Sequence, residues 1–141
     1  MKKNLSELPL RSGVGIVVLN NSNKVFVAKR IDNPKNFWQM PQGGIDDEED
    51  PAAAVLRELR EETGTDQADI IGETVDWLTY DLPTHLRGKV WKGRFRGQVQ
   101  KWFALKLLEI KRGLYAVYTH DYKKVIIITR NLRIARGFAS L

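Results

Sequence analysis

The sequence predicts one α/β domain, on three observations: a strand hairpin opens it, a capped amphipathic helix follows, and more strand-forming runs come after that helix. At 141 residues the chain is long enough to bury one core and too short for two ordinary domains. Residues 1–141 are therefore read as a single domain, without repeat, low-complexity block or linker. Hydrophobic residues at 43% and charged residues at 28% exclude disordered, collagen-like and disulfide-scaffold classes.

The elements follow in order. Residues 14–19 (VGIVVL) form a buried-strand run, residues 20–23 a turn cluster, and residues 25–28 a second strand, which makes a hairpin. Residues 30–41, with Asn33, Pro34 and Asn36, lack apolar periodicity and read as a loop into Gly43-Gly44. Asp50 caps the helix, Pro51 suits its first turn, residues 52–63 are mostly helix formers, and Gly64 stops it. Residues 75–80 and 99–108 read as strands, and so do residues 124–129. Arg130, Arg133 and Arg136 recur every third residue beyond, which suits a short basic helix.

No apolar run, residues 125–128 included, approaches the roughly 20 residues that span a bilayer. Polar residues and Pro9 interrupt the stretch where a signal peptide would be apolar. No membrane association and a cytoplasmic address are the expectation, with which the absence of cysteine is compatible.

The net charge of +6 is unevenly placed, since residues 1–109 hold 16 basic and 16 acidic residues and residues 110–141 hold 7 and 1. Residues 46–62 carry eight carboxylates against two arginines, and residues 87–101 carry six basic residues and no acid. Such sorting suits a cation at one place and an anion at another, the alternative being two solvated surface stretches.

On a helix over residues 51–63, Glu58, Glu61 and Glu62 share one stripe that borders the core-facing side. Like charges at this spacing repel, which favours a cation between them, and hard divalent ions take such oxygen ligands. The alternative is a solvated face paired with Arg57 and Arg60. The stripe is not isolated, however. From Gly43, five residues reach Glu49, seven more reach Arg57-Glu58-Leu59, and Arg60, Glu61, Glu62, Thr63, Gly64 and Thr65 follow. This resembles the Nudix box at every fixed position but the last, where Thr65 stands for an aliphatic residue of similar volume. Eight such matches arise by chance in well under about one chain in a million.

The resemblance implies a Nudix-type α/β/α sandwich with a mixed sheet and a loop-helix-loop catalytic motif, hydrolysing a nucleoside diphosphate linked to another group. It implies Mg2+ or Mn2+ as cofactor, held by Glu58, Glu61 and Glu62. Arg57 matches the arginine that orients a glutamate of the box, with Glu49 as its partner. Either Glu58 or Glu62 serves as general base, and the residues do not choose between them.

Segments outside the box resemble the bacterial RNA pyrophosphohydrolase branch, also described as dinucleoside polyphosphate hydrolases of the diadenosine tetraphosphate type. They are Trp38-Gln39-Met40-Pro41-Gln42-Gly43-Gly44, Trp77-Leu78-Thr79-Tyr80-Asp81-Leu82-Pro83 and Gly97-Gln98-Val99-Gln100-Lys101-Trp102-Phe103. The branch implies removal of pyrophosphate from the 5′-triphosphate end of RNA, with the RNA end or a nucleotide as the bound partner. Arg11, Arg30 and Tyr80 match its substrate-binding positions. Arg87, Lys89, Lys92, Arg94 and Arg96, beside Trp91 and Phe95, suit phosphate neutralisation with an aromatic ring for stacking, the alternative being surface charge. Trp38, Trp77 and Trp102 read as packing or as base platforms, and His85 and His120 as surface residues.

The resemblance covers about residues 11–108. Residues 109–141 show none of the sequence patterns of the branch's acidic loop, Trp-containing strand and final helix, and Asp121, a weak stand-in for its late metal-binding glutamate, reads rather as a turn residue. Two alternatives to RNA pyrophosphohydrolysis remain open: housekeeping cleavage of diadenosine tetraphosphate, and an RNA- or nucleotide-binding module whose turnover is impaired by the atypical ending.

Overall fold

The computed structural model describes residues 4–21, 23–27, 39–108 and 130–131. Its spine is β1 (Leu10–Leu19), whose apolar run is buried from Val14 to Leu19. Alternation along the strand divides that run between two faces. Val14, Ile16 and Val18 pack with Phe26 and with Ala54, Val55 and Leu59 of α1 (Pro51–Thr63). Val17 and Leu19 point the other way, into a smaller cluster with Val25, Ala104 and the half-buried Trp102.

β2 (Lys24–Val25) returns antiparallel to β1, with Leu19 opposite Val25. The turn closes through an Asn23 N–H to Asn20 carbonyl bond of 2.9 Å, with Asn23 in the left-handed region that asparagine tolerates. The hairpin is where the sequence places it, but its second strand begins one residue earlier than expected and residues 26–27 lie beyond it. Residues 30–38 of the expected loop lie outside the described residues, and its end, residues 39–41, leads into β3 (Gln42–Gly44), which is antiparallel to β1.

Asp50 caps α1 by accepting from the N–H groups of Ala52 (3.0 Å) and Ala53 (3.2 Å), and a cap of this kind contributes about 1 kcal/mol. Gly64 ends the helix at φ 77° with its N–H on the Arg60 carbonyl. Leu59 is fully buried against the sheet, so its truncation to alanine costs about 2–5 kcal/mol. Thr65 does something other than fill apolar volume: its hydroxyl accepts the Gln67 N–H at 3.1 Å and so shapes the chain leaving the helix.

After the helix come β4 (Ala68–Glu73), β5 (Leu78–Asp81) and β6 (Gly97–Leu107). The sequence reading missed β4, whose side chains do not alternate cleanly in burial and whose pairing with β6 is broken by a bulge between Ile70 and Gly72. It also began the next strand too early, because Val75 lies before β5 and is 75% exposed. β6 runs parallel to β1 over ten residue pairs and antiparallel to β4 and β5, so the sheet is mixed as expected. β7 (Arg130–Asn131) pairs antiparallel with β2, so the first two residues of the expected basic helix are extended instead. The expected strand at residues 124–129 and the rest of that helix lie outside the described residues. Among the described residues the sheet carries one α-helix, on the face of Val14, Ile16 and Val18.

Candidate active site

The β3 strand, the turn after it and α1 meet at Arg57. Its Nε donates to Glu49 Oε1 at 2.7 Å and its Nη2 to Glu49 Oε2 at 2.8 Å, a two-pronged pair that fixes the guanidinium plane. Nη2 also donates to the Gly44 carbonyl at 2.8 Å, tying the helix to β3. Nη1 turns to the helix acids, Glu58 at 3.0 Å and Glu61 at 3.3 Å, and Asp46 stands 3.7 Å from Nε. Four carboxylates on one guanidinium leave a formal excess of three negative charges, with Glu62 next along the helix.

The two strongest carboxylate partners of Arg57 differ in character. Glu49 accepts from Arg57 and from the Asp46 N–H at 2.9 Å, and these bonds hold its carboxyl down at about 2. Glu58 is buried, and desolvation pushes its carboxyl above the ordinary range despite Arg57, with Glu61 and Glu62 adding repulsion. Arg57 itself is driven further into its charged form, chiefly by the Glu49 bonds.

The paired glycines of β3 have separate purposes. Gly43 lies opposite Val14 on the helix side, and a Cβ there would land on the Glu58 carboxyl group. Gly44 lies opposite Gly13 on the other side, and a Cβ there would come 2.6 Å from Nη2 of Arg11. One three-residue strand thus admits a carboxylate from one face and a guanidinium from the other, which side chains at either position would block.

The remaining candidates are placed as follows. Arg11 lies over the Trp91 ring, 5.5 Å from its centroid. Arg94 lies over Phe95 at the same distance, and Trp91 meets Phe95 edge-on at 6.3 Å. Arg87 donates from Nε to the Leu82 carbonyl at 2.9 Å, and Arg96 is paired with Asp81, so these two brace their loop. Lys89 and Lys92 are exposed. Tyr80 is half exposed on β5, opposite Gln98. Trp102 packs against the bare backbone of Gly15, which is a packing role; Trp77 is 42% exposed. His85 is exposed, as expected. Arg30, Trp38, His120 and Asp121 lie outside the described residues.

Sequence reasoning missed three participants. Asp46 joins the acid cluster and the Gly44 carbonyl anchors Arg57. Gln100, buried in the sheet, donates to Gln42 at 3.0 Å and Gln98 at 3.4 Å beside Arg11's strand. The alternation of β3 and β6 would have put Gln42, Gln98 and Gln100 on one face, but only once the pairing register was known.

Among the described residues, no three acids converge closely enough to form a ready-made metal cage. The donor chemistry nevertheless fits a hard divalent ion, because carboxylate oxygens are its preferred ligands and the cluster's surplus negative charge is unfavourable without one.

A NUDIX domain model matches residues 9–113, and the chain belongs to the NUDIX family. Members of this family generally use divalent metal ions. Within it, the chain is 58% identical over 108 residues to a protein of Pelagibacter ubique named RNA pyrophosphohydrolase, covering 77% of this chain and 68% of that one. A protein of the same name from Rhodospirillum rubrum is 59% identical over 99 residues, covering 70% and 59%. The chain spans about two thirds or less of the length of the curated relatives it matches. Among solved structures, the E. coli dihydroneopterin triphosphate pyrophosphohydrolase aligns with a TM-score of 0.58 at 22% identity, over 74% of each chain. A MutT protein from Methanosarcina mazei aligns with 0.57 at 19% identity, over 86% of this chain and 77% of that one. These two likenesses are of fold: the Nudix α/β/α class, of which the described residues contain the mixed sheet and the helix on one face.

Proposed function

We propose that this protein is a metal-dependent pyrophosphohydrolase acting on the 5′-triphosphate end of RNA, with dinucleoside polyphosphates as further substrates. The observation that carries the reading is the β3 strand, which brings the Glu58 carboxylate of α1 and the guanidinium of Arg11 to two adjacent glycines. An acid cluster for a cation beside a base for an anion is the arrangement that a polyphosphate needs. The names of the relatives support RNA as the substrate.

In this reading Glu58, Glu61 and Glu62 hold Mg2+ or Mn2+, which when bound neutralises phosphate oxygens and makes water a better nucleophile. A carboxylate oxygen of Glu58 or Glu62 accepts the proton of the attacking water. Arg57 and Glu49 fix the helix relative to β3 and keep Glu58 oriented. Arg11, Arg30 and Tyr80 bind the RNA end, and Lys89 and Arg94, with Arg87, raise the local positive potential for the following phosphates. The reaction belongs to the cytoplasm, and residues 1–141 act as one domain. No helix among the described residues is long and apolar enough to cross a membrane.

The test is release of pyrophosphate from triphosphorylated RNA, with and without Mg2+ or Mn2+, beside diadenosine tetraphosphate. Metal-dependent release from RNA is the expected result, and faster turnover of the dinucleotide at equal concentration would make it the main substrate. RNA binding without release of product would make the chain a binding module.

A further inference from the structure

The loop before β6 is built unusually tightly around Trp91. Gly88, Trp91, Lys92 and Gly93 all have positive φ, at 81°, 50°, 58° and 68°. Glycine adopts this region freely, but a tryptophan does so rarely and needs its surroundings to hold it there. The loop's base is pinched as well, since a Cβ on Gly93 would come 2.8 Å from the Gly88 carbonyl oxygen. This backbone sets the Trp91 ring, half-buried, against Arg11 and, edge-on, the Phe95 ring.

Arg11, like Arg94 on the Phe95 ring, is held in a different way from Arg57, Arg87 and Arg96. Arg57 is surrounded by carboxylates, Arg96 is paired with Asp81, and Arg87 is anchored on a backbone carbonyl. Among the described residues no carboxylate pairs with Arg11; its guanidinium rests on the Trp91 ring at 5.5 Å and against the bare backbone of Gly44. An aromatic face attracts a cation through its quadrupole without cancelling its charge or taking up its N–H donors. A carboxylate in that place would do both, and the arginine would be lost to an anion.

We propose that Trp91 is a positioning residue for substrate binding: it holds the Arg11 guanidinium over Gly44, ordered yet unneutralised, for a phosphate group of the substrate. The proposal deepens the reading of Arg11 as a substrate-binding residue and rests on it.

The experiment measures KM and kcat of the full chain on triphosphorylated RNA for Arg11→Ala, Trp91→Leu, Trp91→Phe and the Arg11→Ala/Trp91→Leu double variant, with thermal unfolding of each. Trp91→Leu keeps apolar bulk and removes the π face. It should raise KM by about threefold to tenfold with kcat little changed, and Trp91→Phe should recover most of that loss. Arg11→Ala should raise KM further, and the double variant should be no worse than Arg11→Ala alone, because residues that act through one another are not additive. If Trp91→Leu fails to fold, Trp91→Phe beside Trp91→His, which keeps an aromatic ring of weaker π character, gives the same ordering of KM. Normal KM in Trp91→Leu while Arg11→Ala is impaired overturns the proposal and leaves Arg11's assignment standing. So does an additive double variant. Normal KM in Arg11→Ala removes that assignment and the proposal together.

Discussion

Arg57 and Arg11 both reach Gly44, one with the acids of the helix side and the other on the opposite face of the sheet, and their surroundings could hardly differ more. On the helix side Arg57 meets four carboxylates and the Gly44 carbonyl. On the other side Arg11 meets an indole ring and glycine backbone. The first is locked, and its work is to order acids that repel one another. The second meets no carboxylate among the described residues, and in the proposed function its charge serves a phosphate group. In the proposed function these two arginines separate the duties of a polyphosphate site: one face gathers negative charge for a cation, the other presents positive charge to an anion.

The sharpest way to break that comparison is to remove charge from the helix face without removing volume. Glu58→Gln and Glu62→Gln should each lower turnover at least about a hundredfold with the fold intact, as read by steady-state kinetics and far-UV circular dichroism. Near-normal rates in both would mean that the acid face is a solvated surface after all. Next come the glycines. Gly43→Ala drives a methyl group into the Glu58 carboxyl and should cut kcat about tenfold or more, since small misplacements of a catalytic group are costly. Gly44→Ala pushes on Arg11 and should raise KM more than it lowers kcat. An identical kinetic signature for both would erase the division between the faces.

Smaller effects sharpen the comparison on the basic side. Removing Lys89 or Arg94 should weaken RNA binding modestly and flatten the slope of log affinity against log salt by roughly 0.7 for each phosphate contact to a single strand. An unchanged slope after both are removed would return that loop to ordinary surface charge. The smallest expected effect is on stability and concerns Glu49. Its carboxyl sits at about 2 in the folded protein against an ordinary 4.5, so it favours folding above pH 4.5, and that contribution is lost as pH falls toward about 2. Denaturation of the protein and its Glu49→Gln variant should show a gap that is constant at neutral pH and closes over that acidic interval. A gap that persists at pH 2 would show that Glu49 acts by shape instead of by charge.

The acid face was largely legible in the sequence. Glu49, Arg57, Glu58, Glu61 and Glu62 lie within fourteen residues of one another, and a capped helix of known pitch relates most of them before any tertiary contact forms. The basic face was legible only as residue types. Arg11 is eighty residues from Trp91, and nothing local reports that the β1–β6 pairing and a left-handed loop stack one on the other. The same distinction explains β4, which lacks clean alternation and exists because β6 is there to pair with it.

By itself, then, the sequence determined the hairpin, the helix with its Asp50 and Gly64 caps, and the acids along that helix, because turn chemistry, capping and helical periodicity act over a few residues. Only the tertiary structure decided the parallel pairing of β1 with β6, the burial that raises Glu58, the separate purposes of Gly43 and Gly44, and which arginines are neutralised. Those depend on strand register and on desolvation, and neither is defined until segments far apart in the chain have packed together.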